Sequence, residues 1–130
     1  MIPARAEARL MPEIRRGDVW TVSGGTGYGG KPRPAVIVQD DEFGGTHSIT
    51  ICSFTTDETD APLFRPRLEP NQRNGLHASC RVMVDKIASV PKVRLGGRIG
   101  RLDDNDILRL NRAIVVFLGL AASSRTRPET

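Results

Sequence analysis

Gly29-Gly30-Lys31-Pro32-Arg33-Pro34-Ala35-Val36-Ile37-Val38-Gln39 runs from a glycine loop, through Pro-Arg-Pro, into an apolar run. Proline fixes its own φ and pushes the preceding residue toward extended backbone, so the two prolines hold Arg33 on a stiff mount. Val36, Ile37 and Val38 favour a pleated strand, here one apolar enough to be buried on both faces. The stretch therefore predicts a strand over 35–39 with one guanidinium at its mouth. Five donors in a planar fork suit a phosphate, including an RNA phosphate. A surface arginine ahead of a core strand is the equally open alternative.

The strands on either side follow the same chemistry. Val19-Trp20-Thr21-Val22 reads as a short strand after the turn Arg15-Arg16-Gly17-Asp18, with Trp20 as a core or rim anchor. His47 to Thr55 is β-branched and reads as the next strand. Leu63 to Leu68 reads as an edge strand, because Pro66 bars a central position. Ser79 to Ile87 and Gly97 to Leu102 read as two more. Asp103 is placed to cap a helix, with Asp106 three residues on. Ile107, Leu110, Ile114, Phe117 and Leu118 then form one apolar face, and Gly119 is the stop. Many short strands and one terminal amphipathic helix predict a mainly β, α+β domain.

Composition narrows the class. The chain has 130 residues, 38% hydrophobic, with a mean hydropathy of -0.28, which predicts one soluble domain with a real core. No apolar run approaches the roughly 20 residues of a membrane span, and the first residues do not read as a secretory signal. Nineteen Lys and Arg against fifteen Asp and Glu give a net charge of +4, which permits a polyanionic partner without demanding one. Cys52 and Cys80 do not make a disulfide framework, and reduced thiols in a cytoplasm are the expectation. The expected organisation is a flexible N-terminal extension over 1–14, the domain over 15–121 and a disordered tail over 122–130.

The glycine loop excludes two readings. Ser23 to Lys31 contains no Walker A pattern, and its GxGxxG, Gly25 to Gly30, precedes a strand where a dinucleotide site needs a helix. Tyr28 can stack on a base there or be an ordinary loop tyrosine. His47, His77, Cys52 and Cys80 do not match common zinc spacings.

In order along the chain, Arg16-Gly17-Asp18-Val19-Trp20, Arg33-Pro34-Ala35-Val36-Ile37-Val38, Ile51-Cys52-Ser53-Phe54-Thr55-Thr56, Asn74-Gly75-Leu76 with Ser79 and Val82 to Ile87, and Arg94-Leu95-Gly96 with Ile99-Gly100-Arg101-Leu102 resemble the MazF/PemK family of toxin endoribonucleases. The resemblance covers Arg16 to Leu120. It implies a small SH3-like β-barrel (MazF/CcdB-like) with a C-terminal helix, usually a two-fold homodimer. It implies metal-independent, sequence-specific cutting of single-stranded RNA, no cofactor, and neutralisation by a MazE-like antitoxin. The family's catalytic pair falls on Arg33 and Thr55. Expected RNA contacts are Tyr28, Lys31, Ser53, Thr56, Ser79 and Lys86. One departure stands out: family members often carry a Ser-Glu-Gln type motif before the arginine, and here the loop is Gly27-Tyr28-Gly29-Gly30.

The chemistry is coherent but incomplete. RNA supplies its own 2′-hydroxyl nucleophile, and Arg33 suits charge on the phosphoryl oxygens. Thr55 can donate to the phosphate but is a poor base. Nothing in the sequence places His47 or His77 beside Arg33, so proton removal is unassigned. Arg65, Arg67, Arg73, Arg81, Lys86, Arg94 and Arg98 can line a backbone-tracking groove or form a solvated face. Two other classes stay open: a gyrase poison resembling CcdB, although this helix ends in Leu118-Gly119-Leu120 without a tryptophan tip, and a regulatory nucleic-acid-binding barrel.

Overall fold

The computed structural model describes residues 13–24 and 31–120. The expected extension over 1–14 and tail over 122–130 fall almost wholly outside these residues, as does Tyr28. Among the described residues seven strands precede one α-helix: β1 Asp18–Val22, β2 Arg33–Ile37, β3 Ser48–Thr55, β4 Arg67–Leu68, β5 Cys80–Val82, β6 Ala88–Pro91, β7 Leu95–Arg101 and α1 Asp104–Phe117. All the strand pairs are antiparallel, in the order β4-β5-β3-β2-β1-β7, with β6 also on β3. The result is the curled sheet and single C-terminal helix expected from the sequence.

Period-two alternation on β1, β2 and β3 feeds two cores. Val19, Val36 and Cys52 join Leu68, Val82 and Leu102 under Leu110 and Ala113 of α1. Trp20, Val22, Ala35, Ile37, Ile49 and Ile51 form the second core on the opposite face. β2 is thus buried on both faces from Ala35 onward, and it begins two residues earlier than the apolar run alone suggests. Pro34 is tolerated because it sits at the strand's start, before the first recorded pair with β3, Ala35↔Ser53.

Three other elements differ from the sequence reading. The stretch from Leu63 collapses to a two-residue strand, because Pro66 is buried and offers only its carbonyl, which accepts from Val82 N–H at 3.0 Å. The run over 79–87 breaks after Val82 into a 3-10 turn, Val84–Lys86. Ala88–Pro91, which carries Ser89 and Pro91, is a strand against β3. On α1, Asp103 accepts from Asp106 N–H at 2.9 Å, the expected cap. Phe117 and Leu118 are half exposed, while Ala113, too small to register in the apolar pattern, is buried.

A turn before β5 is built with unusual tightness. Asn74 is fully buried; its Oδ1 accepts from Asn71 N–H at 3.1 Å and Leu76 N–H at 3.0 Å, and its Nδ2 donates to the Glu69 carbonyl at 2.9 Å. Gly75 has φ +69°, and a Cβ there would overlap the Ile99 carbonyl. A Cβ on Gly100 would overlap the Arg73 and Asn74 backbone. The turn is therefore pressed backbone to backbone onto β7. Gly75→Ala combines left-handed strain with that overlap and is expected to cost at least about 2 kcal/mol. Chemical denaturation measures this directly; an unchanged midpoint would contradict the packing.

Candidate active-site cleft

β2 and β3 run antiparallel with Ala35 opposite Ser53. Continuing that register by two residues sets Arg33 opposite Thr55, with both side chains on the same face. Thr55 is in turn paired with Arg81 on β5, and Arg81 with Arg67 on β4. One transverse row thus carries Arg33, Thr55, Arg81 and Arg67. Arg33 is exposed, whereas the residues after Pro34 are buried, so the strand passes from core to solvent at the arginine.

An open cleft of about 430 Å³ lies at this end of the sheet. Arg33, Ser53, Thr55, Thr56 and Lys86 line it together, with Leu76, His77, Ala78, Cys80 and Met83 completing the wall. Five of the eight site residues expected from the sequence therefore meet in one place. Lys31 is exposed two residues before Arg33 and is not among the lining residues. Ser79 is turned to a smaller depression beside the cleft, where its hydroxyl donates to Glu69 at 2.9 Å and accepts from Arg67 Nε at 3.0 Å. Tyr28 lies outside the described residues.

Thr55 Oγ1 accepts from Asp57 N–H at 3.1 Å, which fixes the hydroxyl while leaving its proton to be donated. Of the wider basic set, Lys86 alone lines the cleft; Arg67 and Arg81 line the adjoining depression with Asp57 and Glu58. Arg98 and Arg101 are drawn instead to the buried carboxylate of Asp18, at 3.3 and 3.4 Å. Burial pushes the Cys80 thiol up to about 11 and the Cys52 thiol to about 12, so both stay protonated at neutral pH. Among the described residues no three His, Cys, Asp or Glu side chains converge as metal ligands do.

The two histidines separate. His47 precedes β3, roughly 25 Å of strand from Thr55. His77 is exposed in the cleft wall itself. Sequence spacing could not find it, because its position depends on the Asn74–Gly75 turn docking on β7; the Asn-Gly-Leu signal of a tight turn was the available hint. Leu76 belongs to that same turn, whereas Met83 follows β5 and is placed by its amide, which donates to the Ser53 carbonyl at 2.9 Å.

Lys86 is carried by a 3-10 turn that is itself pinned. Arg65 grips Asp85 with both ends of its fork, at 2.9 and 2.8 Å, and the pair is mostly shielded from solvent. The Arg65 hydrogen bonds hold the Asp85 carboxyl below the usual aspartate range. A lowered folded-state value stabilises the fold above the ordinary aspartate range, and that contribution is lost as pH falls through the lowered value. Arg65→Ala is therefore expected to destabilise by about 1–3 kcal/mol at neutral pH. In thermal melts the deficit should narrow on acidification below about pH 4; a pH-independent deficit would mean packing, not the pair, is responsible.

The fold and cleft define a small antiparallel half-barrel closed by one helix, with a basic cleft free of lining carboxylates among the described residues. Residues 15–118 match the family of PemK-like, MazF-like toxins of type II toxin–antitoxin systems, and the chain belongs to that family. It is 48% identical over 108 residues to a probable endoribonuclease MazF of Mycolicibacterium smegmatis, covering 83% of this chain and 99% of that protein. It is 28% identical to endoribonuclease MazF9 of Mycobacterium tuberculosis, covering 82% and 98%. Solved structures share the fold. An endoribonuclease in complex with its cognate antitoxin, from a mycobacterial species, superposes with a TM-score of 0.68 at 24% identity, covering 85% of this chain and 97% of that one. A MazE–MazF structure from Deinococcus radiodurans gives 0.70 at 18% identity, covering 85% and 100%.

Proposed function

We propose that this chain is the toxin of a type II toxin–antitoxin pair, an endoribonuclease that cuts single-stranded RNA at a short sequence and so arrests translation. The single observation that supports it most is the meeting of Arg33 and Thr55 across β2 and β3 in one open cleft. The 2′-hydroxyl next to the scissile phosphate attacks phosphorus, giving a 2′,3′-cyclic phosphate and a 5′-hydroxyl. Arg33 offers its fork to the non-bridging oxygens, where charge grows in the transition state. Thr55, its oxygen held by the Asp57 amide, donates a hydrogen bond to the same phosphoryl group. Lys86, Ser53 and Thr56 line the path of the flanking backbone. No step in this scheme requires a metal ion.

The same cleft suits an antitoxin segment that occupies the RNA's place. The half-exposed Val116, Phe117 and Leu118 at the end of α1 support a homodimer that buries them with the region around β5. Light scattering at micromolar concentration should then give twice the chain mass, and a monomer would remove the dimer from this reading.

Cleavage of a long single-stranded RNA in excess chelator tests the activity. Wild type should give discrete cuts. Arg33→Ala and Thr55→Ala should each lose about 10²-fold or more in rate with folds intact. Intact RNA at a wild-type concentration that binds it would replace the enzyme with a binding module.

A further inference from the structure

The scheme above leaves one proton without a destination. When the 2′-oxygen forms its bond to phosphorus, its proton must go to an acceptor. Thr55 and Ser53 are hydroxyls and accept protons poorly at neutral pH. Arg33 and Lys86 are cations that present only donors. Cys80 holds its own proton, because burial pushes its thiol up to about 11. No aspartate or glutamate is among the described residues lining the cleft. The loop that enters β2 cannot supply one either, since Gly25-Thr26-Gly27-Tyr28-Gly29-Gly30 contains neither carboxylate nor imidazole. That leaves one described lining side chain with a ring nitrogen able to accept the proton, the imidazole of His77.

Its mounting suits the task. His77 follows Leu76, which is buried, and the Asn74–Gly75 turn, which three Asn74 side-chain hydrogen bonds hold together internally and two close glycine contacts press against β7. The backbone beneath His77 is thus fixed by the fold, while its ring is exposed to the cleft. A surface histidine kept for solubility does not need such an anchor.

Resting on the endoribonuclease reading, we infer that His77 is the general base of the reaction. Its neutral imidazole takes the 2′-hydroxyl proton as the 2′-oxygen–phosphorus bond forms and the phosphorus–5′-oxygen bond breaks. The departing 5′-oxygen takes a proton from solvent water, and the imidazolium returns its own to solvent between turnovers. The charged and titratable groups that share the cleft with it are Arg33 on β2, Lys86 on the 3-10 turn and Cys80 on β5; Asp57, Glu58, Arg67 and Arg81 lie in the adjoining depression. A single base of this kind gives a rate that falls with slope one as pH drops below the imidazole range.

The test is single-turnover cleavage of a defined single-stranded RNA by the full chain, from about pH 5 to 9, with His77→Ala, His77→Gln and His77→Phe beside wild type. Each variant should lose about 10²-fold in the chemical step at neutral pH, lose the acid limb of the profile, and bind uncleaved RNA with unchanged affinity. Added imidazole should partly restore His77→Ala and not His77→Phe. Melting temperatures guard against misfolding. Cutting by His77→Ala at the wild-type rate and pH profile overturns the inference while leaving the endoribonuclease reading intact. Full activity in His77→Phe overturns it too, and marks the ring as a stacking surface. RNA left uncut by wild type brings down both readings together.

Discussion

The structure depends on β3 serving three partners at once. Ile51 is paired with Ile37 on one edge and Ala88 on the other, while Phe54 and Thr55 pair with β5. No residue in the middle of such a strand has a backbone group to spare. Its side chains are committed as well, Ile49 and Ile51 to one core and Cys52 to the other. A strand bonded on both edges and buried on both faces has no room to slip, because any shift breaks ladders with several neighbours.

The cleft is what this rigidity leaves at one end. Pro34 cannot donate a ladder hydrogen bond, so the recorded β2–β3 pairing begins only at Ala35 and Ser53. Past that point the two strands still run side by side, but their side chains are released to solvent. Arg33 and Thr55 are the first to reach it on that face. The remaining wall is added by segments that dock rather than pair: the turn that ends in Leu76 and His77, and the short 3-10 turn that presents Lys86. Specific floor and docked wall thus have different physical origins. The floor follows from strand register, and the wall follows from a buried asparagine, two glycines and one bidentate ion pair.

This division explains what could be read from residues alone. β-branched runs and the Asp103 cap are local signals, and they located β1, β3, β7 and α1 to within a residue or two. The placing of Arg33 and Thr55 in one cleft was legible because Arg33 opens one apolar strand, Thr55 closes the next, and each matches a family motif. β6 was not, since Ser89 and Pro91 argue against a strand until β3 is there to receive it. Ser79 looked available for RNA, but Glu69 and Arg67, ten and twelve residues away, claim its hydroxyl. Arg98 and Arg101 likewise turn to Asp18 across more than seventy residues of chain. His77 shows the reverse case: a residue with no local distinction becomes central once a distant strand fixes its turn.

The docking of that turn on Gly100 carries a consequence for how the protein is made. Synthesis is vectorial, so residues 33 to 86, which hold every described residue lining the cleft, leave the ribosome before β7 does. Yet the turn beneath His77 has nothing to rest on until Ile99 and Gly100 emerge, and β1 has no outer neighbour until Arg98 and Arg101 reach it. Pairings this far apart in sequence close late, after the local ladders have formed. A nascent chain therefore carries the parts of its cleft without the assembled cleft until β7 has emerged.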